Sequence, residues 1–139
     1  LPLGGVVFIS VKDEDKAAAA VAARKLVDAG LDIIATDNTA EYLSKSGIKV
    51  ERVQKIYNGS PNVLDYMKRG EVKLIINTPT TKQSVKDGYQ IRRSAVDYHV
   101  PYITTIQAAQ AAADAILLAG KDQVTIKALD EYHREVYYT

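Results

Sequence analysis

The sequence predicts an α/β fold built on a parallel sheet, and two patterns carry the prediction. Short runs rich in Val, Ile and Leu recur along the chain, bounded by glycine, proline or charged residues. Between them lie longer stretches in which alanine and other apolar residues repeat at helical spacing, several of them closed by glycine. Strands that alternate with helices imply βαβ units, right-handed crossovers and a parallel sheet.

Residues 5–11 (GVVFISV) form a continuous β-rich run, the mark of a strand buried on both faces. Residues 13–29 are alanine-rich, acidic in the first turn and followed by Gly30, which predicts a helix. Residues 32–36 (DIIAT) give a second buried strand, and 39–46 a short helix that ends at Gly47. Residues 50–53 make a weaker third strand. A short helix over 63–69 has Pro61 near its start and Gly70 at its end. Residues 73–77 (KLIIN) are a fourth strand. A helical turn is expected over 84–87 and a helix over 89–98, ending before Val100-Pro101. Residues 102–104 are a short fifth strand, and 106–118 an alanine-rich helix closed by Gly120. Residues 123–138 read as an extended piece followed by a helix. The expected organisation is one domain over 1–120 and a tail helix over 121–139 that packs on the domain or on a partner.

At 139 residues the chain fits a single domain with a real core. Its 18 Lys+Arg against 17 Asp+Glu leave a net charge of +1, which excludes a polybasic nucleic-acid module. Any anion site must come from local geometry. Cysteine is absent, so there is no disulfide frame, thiolate nucleophile or Cys-based zinc site. The two histidines, His99 and His133, are far apart in sequence and make no metal cluster, so no metal ligand is assigned. No run approaches the roughly 18 apolar residues of a spanning helix. The start, Leu1-Pro2-Leu3-Gly4-Gly5, has neither a charged n-region nor an initiating Met. The chain reads as a segment of a longer protein or a processed one, with a cytoplasmic origin as the default.

In a parallel sheet, ligands bind beyond the carboxyl ends of the strands. Those ends carry Lys12 and Lys16, then Thr36, Asp37, Asn38 and Thr39, then Lys55, then Asn77, Thr78, Pro79, Thr80, Thr81 and Lys82, then Thr104 and Thr105. Hydroxyls, an amide and ammonium groups, joined by helix N-terminal N–H groups, suit a phosphate or a phosphorylated sugar. Thr36 to Thr39 serve either as an anion nest or simply as helix-cap residues, since Thr36 and Asn38 are good cap types. Catalytic arrangements are poor. There is no Gly-x-Gly-x-x-Gly, no Walker A and no credible Ser/His/Asp order. Asp13, Glu14 and Asp15 are explained by the helix macrodipole alone. Arg92 and Arg93 diverge by about 100° on a helix, so at most one faces a given site. The tyrosines at 132, 137 and 138 mark a tail that packs on something.

The segments Ile9-Ser10-Val11, Asp15-Lys16, Ala35-Thr36-Asp37-Asn38-Thr39-Ala40, Ile75-Ile76-Asn77-Thr78 and Ile91-Arg92-Arg93-Ser94-Ala95 resemble the methylglyoxal-synthase-like domain. Within that superfamily the chain looks most like the C-terminal regulatory domain of the carbamoyl-phosphate synthase large subunit. The resemblance spans roughly residues 5–118. It implies a three-layer α/β/α sandwich with a five-stranded parallel sheet in the order 3-2-1-4-5, and an allosteric rather than a catalytic module. It implies a nucleotide effector, UMP or in some relatives IMP, whose phosphate positions fall on Lys16, Thr36, Thr39 and Lys55. The nucleoside-contacting asparagine falls on Asn77. A threonine of the same loop falls on Pro79, leaving Thr78, Thr80 or Thr81 to replace it. Lys82 stands where relatives often carry arginine, which keeps the charge and loses the fork geometry. Tyr102 and Thr104 fall on ornithine-contacting positions at the boundary with a neighbouring domain.

The same resemblance implies partners: the synthetase domains of one large subunit and a glutaminase small subunit, acting in pyrimidine and arginine biosynthesis. No cofactor is expected in this segment. The parent enzyme would use ATP with Mg2+ or Mn2+ and K+. Methylglyoxal synthase itself requires an acidic loop after the fourth strand, and residues 77–81 contain no acid. The cyclohydrolase domain of purine synthesis lacks the Ile-Arg-Arg-Ser-Ala segment. A ligand-independent oligomerisation or scaffold module is the alternative of a different class.

Overall fold

A computed structural model describes residues 5–78 and 82–121 of the chain. Five strands, β1 (Val6–Val11), β2 (Asp32–Thr36), β3 (Val50–Val53), β4 (Val72–Thr78) and β5 (Tyr102–Ile103), form one sheet in the order β3-β2-β1-β4-β5. Every neighbouring pair is parallel. Five helices connect or follow them: α1 (Lys16–Asp28), α2 (Asp37–Lys45), α3 (Val63–Lys68), α4 (Lys82–Asp97) and α5 (Ile106–Lys121). The architecture and strand order are those expected from the resemblance.

Strand periodicity divides the core in two. Val7, Ile9, Val11, Ile33, Ala35, Leu74 and Ile76 face α1, α2 and α5. Val6, Phe8, Ile34, Val53 and Ile75 face α3 and α4. On the first side the buried alanines of α1 (Ala19, Ala22, Ala23) meet those of α5 (Ala109, Ala112, Ala113), with Leu26 and Ile116 filling the space between helices and sheet. Small side chains let two helices lie close on the same sheet, and Lys25 Nζ reaches Asp114 Oδ1 at 2.6 Å across the seam. Gly5, at φ +137°, opens β1 where a Cβ would stand 3.1 Å from the Glu71 carbonyl and closer still to the Lys73 side chain.

Several boundaries differ from the sequence reading. Residues Asp13–Asp15 form a 3-10 turn, and the α-helix starts only at Lys16. The second helix opens at Asp37, two residues early, because Thr36 is still extended at φ −99°, ψ 149° and acts as the capping position. The helical turn and separate helix expected over 84–98 are one helix, α4. Gly88 does not break it: the glycine is buried and its carbonyl accepts a hydrogen bond from the Tyr102 hydroxyl at 3.3 Å. α5 runs through Gly120 to Lys121 rather than closing before it, and β5 stops at Ile103. A 3-10 turn at Ile56–Asn58 has no counterpart in the sequence reading. It leads through Asn62 into α3. The Asn62 side chain caps that helix by accepting from the Leu64 N–H at 2.9 Å, while Asp65 accepts from the Asn62 N–H at 2.9 Å. Among the described residues no helix is long and apolar enough to cross a membrane. The tail expected over 121–139 lies, beyond Lys121, outside the described residues.

Leu26 is fully buried between α1 and the sheet, whereas Val21 on the same helix is exposed. Leu26→Ala should cost about 2–5 kcal/mol in urea unfolding through lost burial and a residual cavity. Val21→Ala should stay within about 0.5 kcal/mol of the parent chain. Equal effects of the two changes would mean that the alanine-lined seam is not the tight interface described.

Candidate functional site

The carboxyl ends of β1, β2 and β4 come together at the point where strand order reverses. Ser10 of β1 lies opposite Asn77 of β4 in register, and Val11 opposite Thr78. Since side chains alternate along a strand, Ser10, Thr36 and Asn77 continue the rows of Phe8, Ile34 and Ile75 and point to the α3/α4 side. They line one small cleft together with Phe8, Lys55 and Ile91. Its volume is about 30 Å³, which admits a few atoms of a ligand at a time. Thr36 Oγ1 stands 3.5 Å from Ser10 Oγ. Both Thr36 and Asn77 are buried.

Asn77 is fixed from behind. Its Nδ2 donates to the Tyr102 hydroxyl at 2.8 Å, and that hydroxyl donates to the Gly88 carbonyl. The Arg92 guanidinium lies 5.0 Å above the Tyr102 ring. Burial pushes the Tyr102 phenol above its ordinary range, against the opposing pull of Asn77 and Arg92. The result is a continuous polar chain from the cleft, through β5, to the middle of α4.

Lys55 reaches the same cleft from the residue that precedes the Ile56–Asn58 turn. Its Nζ stands 3.5 Å from Asp37 Oδ2, and Arg52 Nη2 stands 2.9 Å from Asp37 Oδ1. The Arg52 hydrogen bond holds the Asp37 carboxyl below its ordinary 3.8; partial burial opposes this and Lys55 assists it. Asp37 itself has φ +33°, uncommon for a residue other than glycine.

The same alternation sends other expected site residues elsewhere. The Val11 N–H donates to Thr39 Oγ1 at 3.2 Å, and the Thr39 hydroxyl donates to the Val11 carbonyl at 3.4 Å. Thr39 thus fastens α2 to the end of β1. Thr78 Oγ1 accepts from the Lys12 N–H at 2.9 Å, holding the turn after β1. Lys16 is buried, bonds Asp13 and lines a separate cleft of about 270 Å³ with Asn38, Glu41, Tyr42 and Lys45. Thr104 is exposed beyond β5. Thr80 and Thr81 lie outside the described residues, and Lys82 opens α4. Of the expected residues, the structure gathers Thr36, Lys55 and Asn77 into one cleft, with Tyr102 behind it. Ser10 and Asp87 line the same cleft, and Asp37 and Arg52 adjoin it through Lys55; none of the four was assigned to it from sequence. For Ser10 the signal was available: it is the polar end of an apolar row that alternates through Val6 and Phe8.

Residues 18–104 match the family model described as the MGS-like domain. The chain belongs to the MGS-like domain family. It is 75% identical over 138 residues to the carbamoyl phosphate synthase large chain of Methanothrix thermoacetophila, covering 99% of this chain and 13% of that relative. It is 58% identical over 137 residues to the large chain of Methanosarcina mazei, covering 98% of this chain and again 13% of the relative. The MGS-like chain thus spans about an eighth of the length of these curated relatives. Among solved structures, the crystal structure of ForH shares the fold with a TM-score of 0.64 at 16% identity, covering 96% of this chain and 93% of that one.

Two expectations follow for this MGS-like domain. Replacing Thr39 by Val keeps its shape but leaves the Val11 N–H and carbonyl without their buried partner. Unfolding stability should fall by about 1–3 kcal/mol, and Thr39→Ser should retain most of it. A Thr39→Val chain as stable as the parent would show that the hydroxyl is not a fastening. The second concerns acid. A carboxyl whose pKa falls on folding adds stability above its ordinary value and loses it as pH drops through the lowered one. Stability of the parent chain should therefore decline below about pH 4 more steeply than that of Asp37→Asn, as read by urea unfolding at several pH values. Parallel acid limbs would show that the Asp37 ion pairs do not contribute.

Proposed function

We propose that this MGS-like domain is the regulatory module of a carbamoyl phosphate synthase large chain and that its strand-end cleft takes the phosphate end of a nucleotide monophosphate, UMP or IMP. The observation that carries the reading is the convergence of Ser10, Thr36, Lys55 and Asn77 on one cleft at the switch point of the sheet. Two hydroxyls, an amide and an ammonium give the cleft donors suited to holding a phosphate and a sugar, and one carboxylate, Asp87, lines it as well. The high identity to carbamoyl phosphate synthase large chains supplies the setting. The rest of such a large chain, its ATP and metal ions, and a glutaminase partner belong to the parent assembly on this reading, in the cytoplasm.

Thr39 and Lys16 act here at one remove. Thr39 holds the start of α2 in place, and Lys16 lines a separate cleft beside that helix; an anion at the α2 N-terminus would gain from the helix dipole. Thr78, Thr80, Thr81 and Lys82, which follow Asn77 in sequence, are the residues this reading assigns to the nucleoside. Tyr102 and Thr104 mark the ornithine side. The Tyr102–Asn77 hydrogen bond links that side to the effector cleft, so occupancy of one biases the geometry of the other. Coupling of this kind is typically about 1–3 kcal/mol. The scaffold alternative loses one support, because the alanine face of α5 is spent against α1 within the domain.

The test is calorimetric titration of the chain with UMP, IMP, inorganic phosphate and ornithine. UMP or IMP should bind more tightly than phosphate alone. Lys55→Ala should weaken the nucleotide by about 1–3 kcal/mol, the range for a lost charge-assisted contact. Binding that is indifferent to Lys55→Ala would remove this cleft as the site.

A further inference from the structure

Asp37 has an arrangement that its position alone does not explain. An acidic residue in the first turn of a helix is expected from the macrodipole. Its carboxylate, however, is turned toward two cations of the neighbouring strand and turn, Arg52 at 2.9 Å and Lys55 at 3.5 Å. Its backbone is held at φ +33°, where most side chains are strained and Asp or Asn is tolerated best. It directly follows Thr36, and Lys55 lines the same cleft as Thr36. A negative group therefore already satisfies the ammonium that a bound phosphate would need.

We propose that Asp37 is a built-in counter-anion of the cleft, which an incoming phosphate must displace from Lys55 and Arg52, so that Asp37 sets the affinity and the charge selectivity of the site. The inference rests on the phosphate reading above and adds a determinant to it. With the carboxylate in place, Asp37, Arg52 and Lys55 together carry one positive charge. A monoanion that displaces the carboxylate restores only what was lost. A dianionic phosphate monoester brings a second negative charge to the two cations and so gains over the single carboxylate it replaces. The triad thus favours phosphate monoesters over monoanions such as chloride or acetate. It also keeps Lys55 and Arg52 from repelling each other while the cleft holds no ligand. These pairs are largely exposed, and exposed pairs are weak, so the latch opens readily.

The experiment compares the 139-residue chain with Asp37→Asn, which removes the charge and suits the positive φ. Inorganic phosphate and UMP are titrated calorimetrically, with uridine as the uncharged control and potassium acetate as the monoanion competitor. The variant should bind phosphate and UMP about threefold to tenfold more tightly, with uridine unchanged, and acetate should now compete measurably. Unfolding temperature confirms that the variant is folded. If UMP binding depends on Lys55 but Asp37→Asn leaves it unchanged or weaker, the counter-anion falls and the phosphate site stands. If Lys55→Ala has no effect on UMP in either background, the phosphate site falls and takes the counter-anion with it. Binding that is undetectable in the parent chain and appears in Asp37→Asn supports the proposal; none in either overturns it.

Discussion

The site depends on one constraint: the side-chain alternation of three parallel strands held in register. β1 is paired on both sides, so its position fixes β2 and β4 together. That pairing sets Ser10 beside Asn77 and in reach of Thr36. A register slip of one residue would exchange these groups for Val11, Asp37 and Thr78, and would turn the apolar rows behind them out of their core. The two cores are therefore part of the site's machinery. The alanine-lined packing of α1 and α5 on one face, and of Phe8, Ile34, Ile75 and Ile91 on the other, leave the sheet no alternative register that buries as much.

The polar residues at the strand ends divide into those that hold the frame and those that face the cleft. Thr39 and Thr78 both satisfy backbone groups at the end of β1, the Val11 N–H and carbonyl and the Lys12 N–H. A parallel strand that stops at the sheet edge leaves such groups unpaired, and a nearby hydroxyl is the economical partner. The threonines that a ligand-centred reading counts as contacts thus include some that make the contact surface stiff. Thr36, Ser10 and Asn77 project to the other side, where α3 and α4 leave the small cleft.

The fold was largely legible in the sequence because β1, β2 and β4 are runs buried on both faces and the longer helices carry an alanine or amphipathic signature. What escaped was local. Gly88 fell between two expected helical pieces because propensity is blind to its setting, which is buried and has its carbonyl bonded by the Tyr102 hydroxyl. α2 starts early at Asp37, whose positive φ the sequence pattern does not announce. The candidate site was legible as a set of strand-end residues, since strand ends can be counted, but not as a geometry. Lys16 and Thr36 share a place in that count, yet line different clefts. Arg52 sits within a strand and Asp37 reads as an ordinary helix-start acid; their pairing arises only when β3 lies beside β2.

That pairing gives the site its electrical character. A chain with a net charge of +1 has no field with which to draw in an anion. Any attraction has to be local, and cations left unpaired side by side repel each other. Asp37 neutralises part of the cluster from within, its carboxylate 3.5 Å from Lys55 and 2.9 Å from Arg52. The opposite wall of the cleft is built differently. Asn77 is anchored to Tyr102, and Tyr102 to the backbone of α4, so that wall is rigid and tied to a long helix. On the reading proposed above, a cleft with one wall of paired charge and one wall connected to a helix converts the arrival of an anion into a bias on α4.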